Sequence, residues 1–261
     1  METAVKTDIR SLSLDQLLEQ MAGLGEKSFR AKQVHEWLWK KSARSFAEMT
    51  NLSLDLRLRL ESSFSLRPVE IATQQKSNDG TIKDAFRLYD GNVIEGVLIP
   101  TPERMTACVS SQVGCSLTCK FCATGYMDRK RNLDAAEIYD QVVLIDKQAR
   151  ENYSIPLSNI VYMGMGEPLL NYANVMKSIE YITSPQGLGM SAQRITVSTA
   201  GVAKMIKKMA DDGARHNLAL SLHAANDKKR SEIMPINETN TLEVLGDSLK
   251  YWYEKTGSRI T

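Results

Sequence analysis

All four cysteines of the 261-residue chain lie between Cys108 and Cys122. Three of them, Cys115, Cys119 and Cys122, take the spacing CxxxCxxC within GCSLTCKFC. Thiolates so spaced wrap one corner of a cubane. A [4Fe–4S] cluster held by protein alone uses four cysteines, so three leave one iron open. An open iron can chelate the amino and carboxylate groups of S-adenosylmethionine (SAM). One electron from the cluster then cleaves the sulfonium C–S bond and yields a 5′-deoxyadenosyl radical. The competing occupant is structural zinc, which prefers four closed ligands, usually as two separated pairs. Here the nearest fourth thiol is Cys108, and no second CxxC exists. Ligand count favours the cluster, as does the aromatic Phe121 before the last cysteine.

The elements that must position this loop come in three parts. Residues 1–66 read as a small helical accessory domain. SLDQLLEQMAGLG opens on a Ser13 cap and stops at Gly23 and Gly25. FRAKQVHEWLWKK places Ala31, Val34, Leu38 and Trp37 on one side at helical spacing. LSLDLRLRLESSF alternates like a strand but is rich in helix formers, and is read as helix. Residues 67–103 read as a short antiparallel β extension, with turns at Asn78-Asp79-Gly80 and Asp90-Gly91.

From 104 to 261 strands and helices alternate. MTACVSS, NIVYMG, RITVST and NLALSL are strand-like, each followed by a helical pattern, and a closing RIT begins another strand. Repeated βα units imply α/β architecture with a parallel sheet, open or closed into a barrel. In such barrels the chemistry sits on loops after the strands, where the cysteine loop falls.

With 43% hydrophobic and 25% charged residues the composition is that of a globular protein. A net charge of +2 argues only weakly for nucleic acid. No run approaches the ~18 apolar residues of a membrane span, and METAVKTDIRSLS has no apolar signal core. Clustered rather than distributed cysteines fit metal or redox chemistry in the cytoplasm.

The string CVSSQVGCSLTCKFCATG is followed in order by NIVYMGMGEPLLN, ITVSTAGV, LALSLHAAND and IMPIN. Together these resemble the RlmN/Cfr family of radical SAM RNA adenosine methyltransferases, over essentially the whole chain. The resemblance implies a partial TIM-like (β/α) radical SAM barrel, one [4Fe–4S] cluster and SAM. It implies 23S rRNA and tRNA as substrates, an electron donor such as flavodoxin, and a monomer. ATGYMDRKRNL looks closer to the members that methylate adenine C2 than to those that methylate C8. A radical SAM enzyme on a non-RNA substrate is the alternative.

Residue by residue, the resemblance makes Gly166 and Glu167 of GMGEP contacts for SAM, together with Ser198, Ser221, Leu222 and His223. From the residues alone, GMGEP is a tight turn, Ser198 a helix N-cap and His223 a core histidine. By the same resemblance Glu95 is the general base and Cys108 is catalytic. Alone they read as a solvated strand carboxylate and a small buried hydrophobe. Family members use two SAM molecules: one methylates a second cysteine near the C-terminus, and the other supplies the radical that activates that methyl group. Cys108 then helps release the product through a transient disulfide. This route serves an adenine carbon too poor in nucleophilicity for direct transfer.

Basic and aromatic residues that suit phosphate and base contact are Lys32, Trp37, Lys40, Lys41, Arg129, Lys130 and Arg131. Lys204, Lys207, Lys208 and Arg215 add charge further on. The bland reading is a solvated face over core tryptophans. A flipped-out adenosine is expected, because ring carbons are inaccessible in a stack.

No cysteine follows Cys122, and RIT stops inside what reads as a strand. The expectation is a fragment whose second catalytic cysteine lies beyond Thr261. These 261 residues are then expected to hold the cluster and SAM without completing methyl transfer. Mass spectrometry of adenosine-containing RNA treated with this chain checks it, and a methylated adenosine would contradict it.

Overall fold

The computed structural model describes residues 6–261. They divide into two compact units: one through Val69 together with Glu180–Met190, the other Glu70–Ile179 with Ser191–Thr261.

The first unit is helical. α1 (Leu14–Gly23) starts on a capping box in which Ser13 and Gln16 satisfy each other's backbone N–H groups. α2 (Ser28–Trp39) buries Ala31, Val34, Leu38 and Trp39. Trp37 is therefore not on the buried side as expected. At ~100° per residue it stands about 240° from Ala31, whereas Trp39 stands about 80° away. Trp39 stacks on Tyr181 at 3.5 Å. α3 (Leu54–Ser63) is a helix capped by Ser53; Leu56 and Leu60 are buried while Leu54 and Leu58 face solvent. The strand-like alternation of its leucines thus splits between two helix faces.

The second unit is built on one seven-stranded sheet. β1 (Glu70–Lys76), β2 (Ile82–Arg87), β3 (Val93–Thr101) and β4 (Arg104–Cys108) form an antiparallel meander. β5 (Gln112–Val113) and β6 (Arg131–Asn132) make a separate small ladder around the cysteine loop. After α4 (Ala135–Tyr153), β7 (Asn159–Tyr162) pairs parallel to β4. α5 (Tyr172–Thr183), β8 (Ile195–Thr199), α6 (Ala203–Asp211) and β9 (Asn217–Leu220) continue the βα alternation. α7 (Asp227–Ile233) and α8 (Leu242–Thr256) follow. The closing RIT joins by an isolated parallel bridge from Ile260 to Leu218.

The strand order β1-β2-β3-β4-β7-β8-β9 is sequential, with no reversal. A doubly wound open sheet would reverse at a switch point. Sequential parallel strands with crossovers of one hand carry their helices on one face, as in a barrel wall. The expected barrel-type α/β architecture is present.

Cross-strand register divides the sheet into two faces. Leu98, Ala107, Ile160 and Ile195 lie in one lateral row, all fully buried. α4 packs there so closely that a Cβ on Gly96 would stand 2.5 Å from Phe86 and 3.3 Å from Ile145. The opposite face carries Glu95, Val97, Cys108, Val161 and Ser198. No helix among the described residues is long and apolar enough to cross a membrane.

The helix-covered face holds one carboxyl. Asp84 is fully buried and accepts from Gln148 Nε2 at 2.8 Å and Gln74 Nε2 at 3.3 Å. Its Oδ2 and Gln148 Oε1 have no hydrogen-bond partner, which a neutral carboxyl tolerates better than a charged one. Burial pushes the Asp84 carboxyl up, against the two amides. The folded chain then keeps a proton that the unfolded chain releases. That contribution is present below the ordinary carboxylate range and is lost as pH rises through the raised value. Asp84→Asn should abolish this dependence. In thermal melts stepped from acid to neutral pH, the wild type should lose stability relative to the variant.

Candidate active site

A cavity of ≈ 280 Å³ opens at the C-terminal ends of the parallel strands. Cys115, Cys119 and Cys122 line it, with Phe121 and Leu117 from the same loop. The other wall comes from strand ends: Gly166 and Glu167 after β7, Ser198 and Thr199 of β8, and Ser221 after β9. With Met234 at the end of α7, five separate stretches of chain so meet at one place.

The loop is shaped by backbone constraints. Gly114 has φ +75°, and a Cβ there would lie 2.2 Å from Asp128 O. Gly125 approaches Cys119 so closely that its Cβ would stand 2.6 Å from that carbonyl oxygen. Thr118 is left-handed at φ 47°, a conformation non-glycine residues adopt where surrounding structure enforces it. Cys122 N–H donates to Cys119 O at 3.1 Å, and Lys120 N–H donates to Ile233 O at 2.9 Å. The loop is thus curled on itself and tied to the end of α7.

The donor set fits the cluster. All three cysteines are free thiols. They share one cavity. Three thiols lining one cavity match the three-cysteine donor set that leaves one iron of a cubane open. Burial raises the Cys115 thiol and pushes Cys119 up to about 11. Loading a metal therefore releases protons.

Glu167 is buried, and its carboxylate is engaged within the protein. Oε2 accepts Ala200 N–H at 2.7 Å and Oε1 accepts Leu169 N–H at 3.0 Å. Burial raises its carboxyl, against those bonds and one from Thr199. Its own backbone N–H donates to Gln112 Oε1 at 2.9 Å. A carboxylate contacting SAM was expected here; Glu167 lines the cavity, and its oxygens also tie β7 to β8. Gly166, at φ +93°, runs so close to Gln112 that a Cβ would stand 2.4 Å from its side chain. Ser198 is not a helix cap, since Val202 occupies that position before α6 without a side-chain bond.

Leu222 and His223 are not in the cavity wall; both are exposed. His223, left-handed at φ 58°, lays its ring 4.0 Å from Phe121. It is not the core histidine that position alone implied. Cys108 and Glu95 also stand outside the cavity wall, on the open sheet face. Cys108 is half-buried beside Met163, which does line the cavity, and burial lifts its thiol to about 11. Glu95 is solvent-exposed and ion-paired to Lys83 Nζ at 2.7 Å.

The expected RNA contacts differ in availability. Lys32 and Lys40 are exposed. Lys41 lies 4.1 Å over the Trp37 ring, whose Nε1 donates to Asn51. Arg129 donates to Asn132 at 3.2 Å and Lys130 to Asn92 at 3.0 Å. Arg131 is not a free cation: it forks onto Glu137 at 2.7 and 2.8 Å and reaches Asp90 at 2.6 Å. Its charge is spent bracing β6 against α4.

Several supporting residues escaped the motif reading. Asn171 Nδ2 holds Ser111 O at 2.8 Å and Leu133 O at 2.7 Å. Gln141 brackets the Ser110 peptide, accepting from its N–H and donating to its carbonyl. Arg230, fully buried, gathers carbonyls at the ends of β8 and β9. Only Gln141 carried a signal, a polar residue inside the apolar stripe Ile138, Val142, Ile145.

Residues 7–66 match the family described as the ribosomal RNA large subunit methyltransferase N-terminal domain, and residues 109–258 match the radical SAM superfamily. A Cytophaga hutchinsonii protein named "Probable dual-specificity RNA methyltransferase RlmN" is 62% identical over 256 residues, covering 98% of this chain and 70% of its own. A Flavobacterium johnsoniae protein of the same name is 55% identical over 256 residues, covering 98% and 73%. Among solved structures, a radical SAM methyltransferase from Sphaerobacter thermophilus superposes with a TM-score of 0.90 at 39% identity. That match covers 97% of this chain and 74% of the other.

The engagement of Glu167 has a measurable consequence. In Glu167→Gln one of the two backbone donors faces an amide NH₂ rather than an oxygen. Stability should fall by about 1–3 kcal/mol, read from the urea midpoint at unchanged m-value.

Proposed function

This chain belongs to the RlmN family of radical SAM RNA methyltransferases, and from that premise we propose that it serves methylation of adenine C2 in 23S rRNA and tRNA. The observation that carries this reading is the convergence of the CxxxCxxC loop and three strand ends on one cavity, with Cys108 and Glu95 on the adjoining sheet face.

Cys115, Cys119 and Cys122 would hold the cluster as thiolates. When bound, the cluster and SAM supply the one-electron chemistry that activates an unreactive methyl group. The remaining steps belong to the chain's own residues. The glycines of GMGEP let a ligand approach the β7 end without a side chain in the way. Ser198 and Ser221 offer hydroxyls that donate or accept at the cavity wall. Phe121 gives the loop an apolar plane, steadied by the His223 ring.

Glu95 is the proposed base for the adenine proton. Its carboxylate is oriented on the sheet face by Lys83 Nζ at 2.7 Å. Cys108 stands beside Met163, and burial holds its thiol up at about 11, so it rests as the protonated thiol. The second cysteine of the family has no counterpart within these 261 residues, and its step is assigned to none of them. Exposed Lys32, Lys40 and Lys41 beside Trp37, with Arg129 and Lys130, are proposed to meet RNA. An external donor of the flavodoxin type would deliver the electron.

Anaerobic reconstitution with iron and sulfide tests this reading. The chain should bind about four irons and, once reduced with SAM present, release 5′-deoxyadenosine. Cys122→Ala should abolish both. A colourless protein that retains zinc instead would overturn the reading.

A further inference from the structure

Resting on the cluster proposed at Cys115, Cys119 and Cys122, we infer that Arg230 is the buried counter-charge that sets the reduction potential of that cluster. It would act as a positioning residue and not as a ligand.

Arg230 lies on α7 with no exposed surface. Its guanidinium donates to Ala200 O at 2.6 Å, Leu222 O at 3.1 Å, Ser221 O at 3.4 Å and Asn237 Oδ1 at 2.7 Å. Every one of these acceptors is neutral. A buried cation without a directly paired carboxylate is costly, and its hydrogen bonds offset only part of that cost. Carboxylates approach it only at one remove. Glu167 reaches it across the Ala200 residue, whose N–H donates to Oε2 at 2.7 Å. Asp227 reaches it through the Asn237 amide at 2.9 Å.

The helix bearing this charge abuts the cysteine loop. Lys120 N–H is bonded to Ile233 O at 2.9 Å, and Met234 packs in one buried group with Cys119 and Ala200. The four hydrogen bonds brace the strand ends but leave the charge without a direct anionic partner, and an anionic cluster held by three thiolates would supply one. Reduction adds a further negative charge, and a buried cation in a low-dielectric interior favours the reduced state.

The test uses the full 261-residue chain, reconstituted anaerobically, with the midpoint potential followed by electron paramagnetic resonance. Arg230→Lys keeps the charge and loses the fork; Arg230→Gln loses the charge and keeps a donor. Both should melt at lower temperature in the metal-free state. Only Arg230→Gln should move the midpoint, to a more negative value, while Arg230→Lys stays near wild type. If Arg230→Gln fails to fold, Asp227→Asn removes the carboxylate that the Asn237 amide links to the guanidinium at 2.9 Å, and it should move the midpoint the other way, to a less negative value. Unchanged midpoints in folded, fully loaded charge variants would overturn the inference and leave the cluster assignment standing. A wild type that takes up no cluster would sink the cofactor reading, and this inference with it.

Discussion

The backbone of Ala200 stands between a buried carboxyl and a buried guanidinium. Its N–H is held by the Glu167 carboxylate and its carbonyl by the Arg230 guanidinium. Parallel strands that end at a cavity leave peptide groups with no further ladder to join, and buried peptide groups must be paired. Here two long charged side chains supply those partners, one reaching from the end of β7 and the other from α7. They connect β7, β8 and β9 at the points where the cavity wall is formed.

The same accounting explains the cysteine loop. A loop buried along one side needs its backbone satisfied without regular structure. Close glycine approaches at Gly114 and Gly125 and the left-handed Thr118 let it curl so that its own groups pair. Asn171, Gln112 and Gln141 then connect the flanking segments to the strand ends through buried amide bonds. Amides serve here because each offers both donor and acceptor without a charge to desolvate.

The two faces of the sheet divide the work. The helix-covered face carries the apolar rows and the uncharged surroundings that make Asp84 prefer its proton. The open face carries Glu95, Cys108 and Ser198, brought into register by strands distant in sequence. Since register is set by the apolar rows opposite, packing on one face positions the chemistry on the other.

Much of this was legible in the residues. The βα alternation, the meander with its Asn-Asp-Gly and Asp-Gly turns, and the Ser13 cap are local patterns, and local patterns survive folding when burial agrees with them. The cysteine spacing is also local, and it identified the cofactor chemistry. Trp37 was misplaced because a short helix leaves two candidate tryptophans near one stripe, and only packing against Tyr181 selects Trp39. The roles of Glu167, Arg131 and Arg230 were out of reach, because a charged residue in a sequence carries no sign of what will lie within 3 Å of it. Sequence by itself therefore determined the order of elements, the cysteine loop proposed to hold the cluster, and the family. The tertiary structure decided which charges are buried, which carboxylate is a tie and which a candidate base, since those depend on partners brought together from distant stretches of chain.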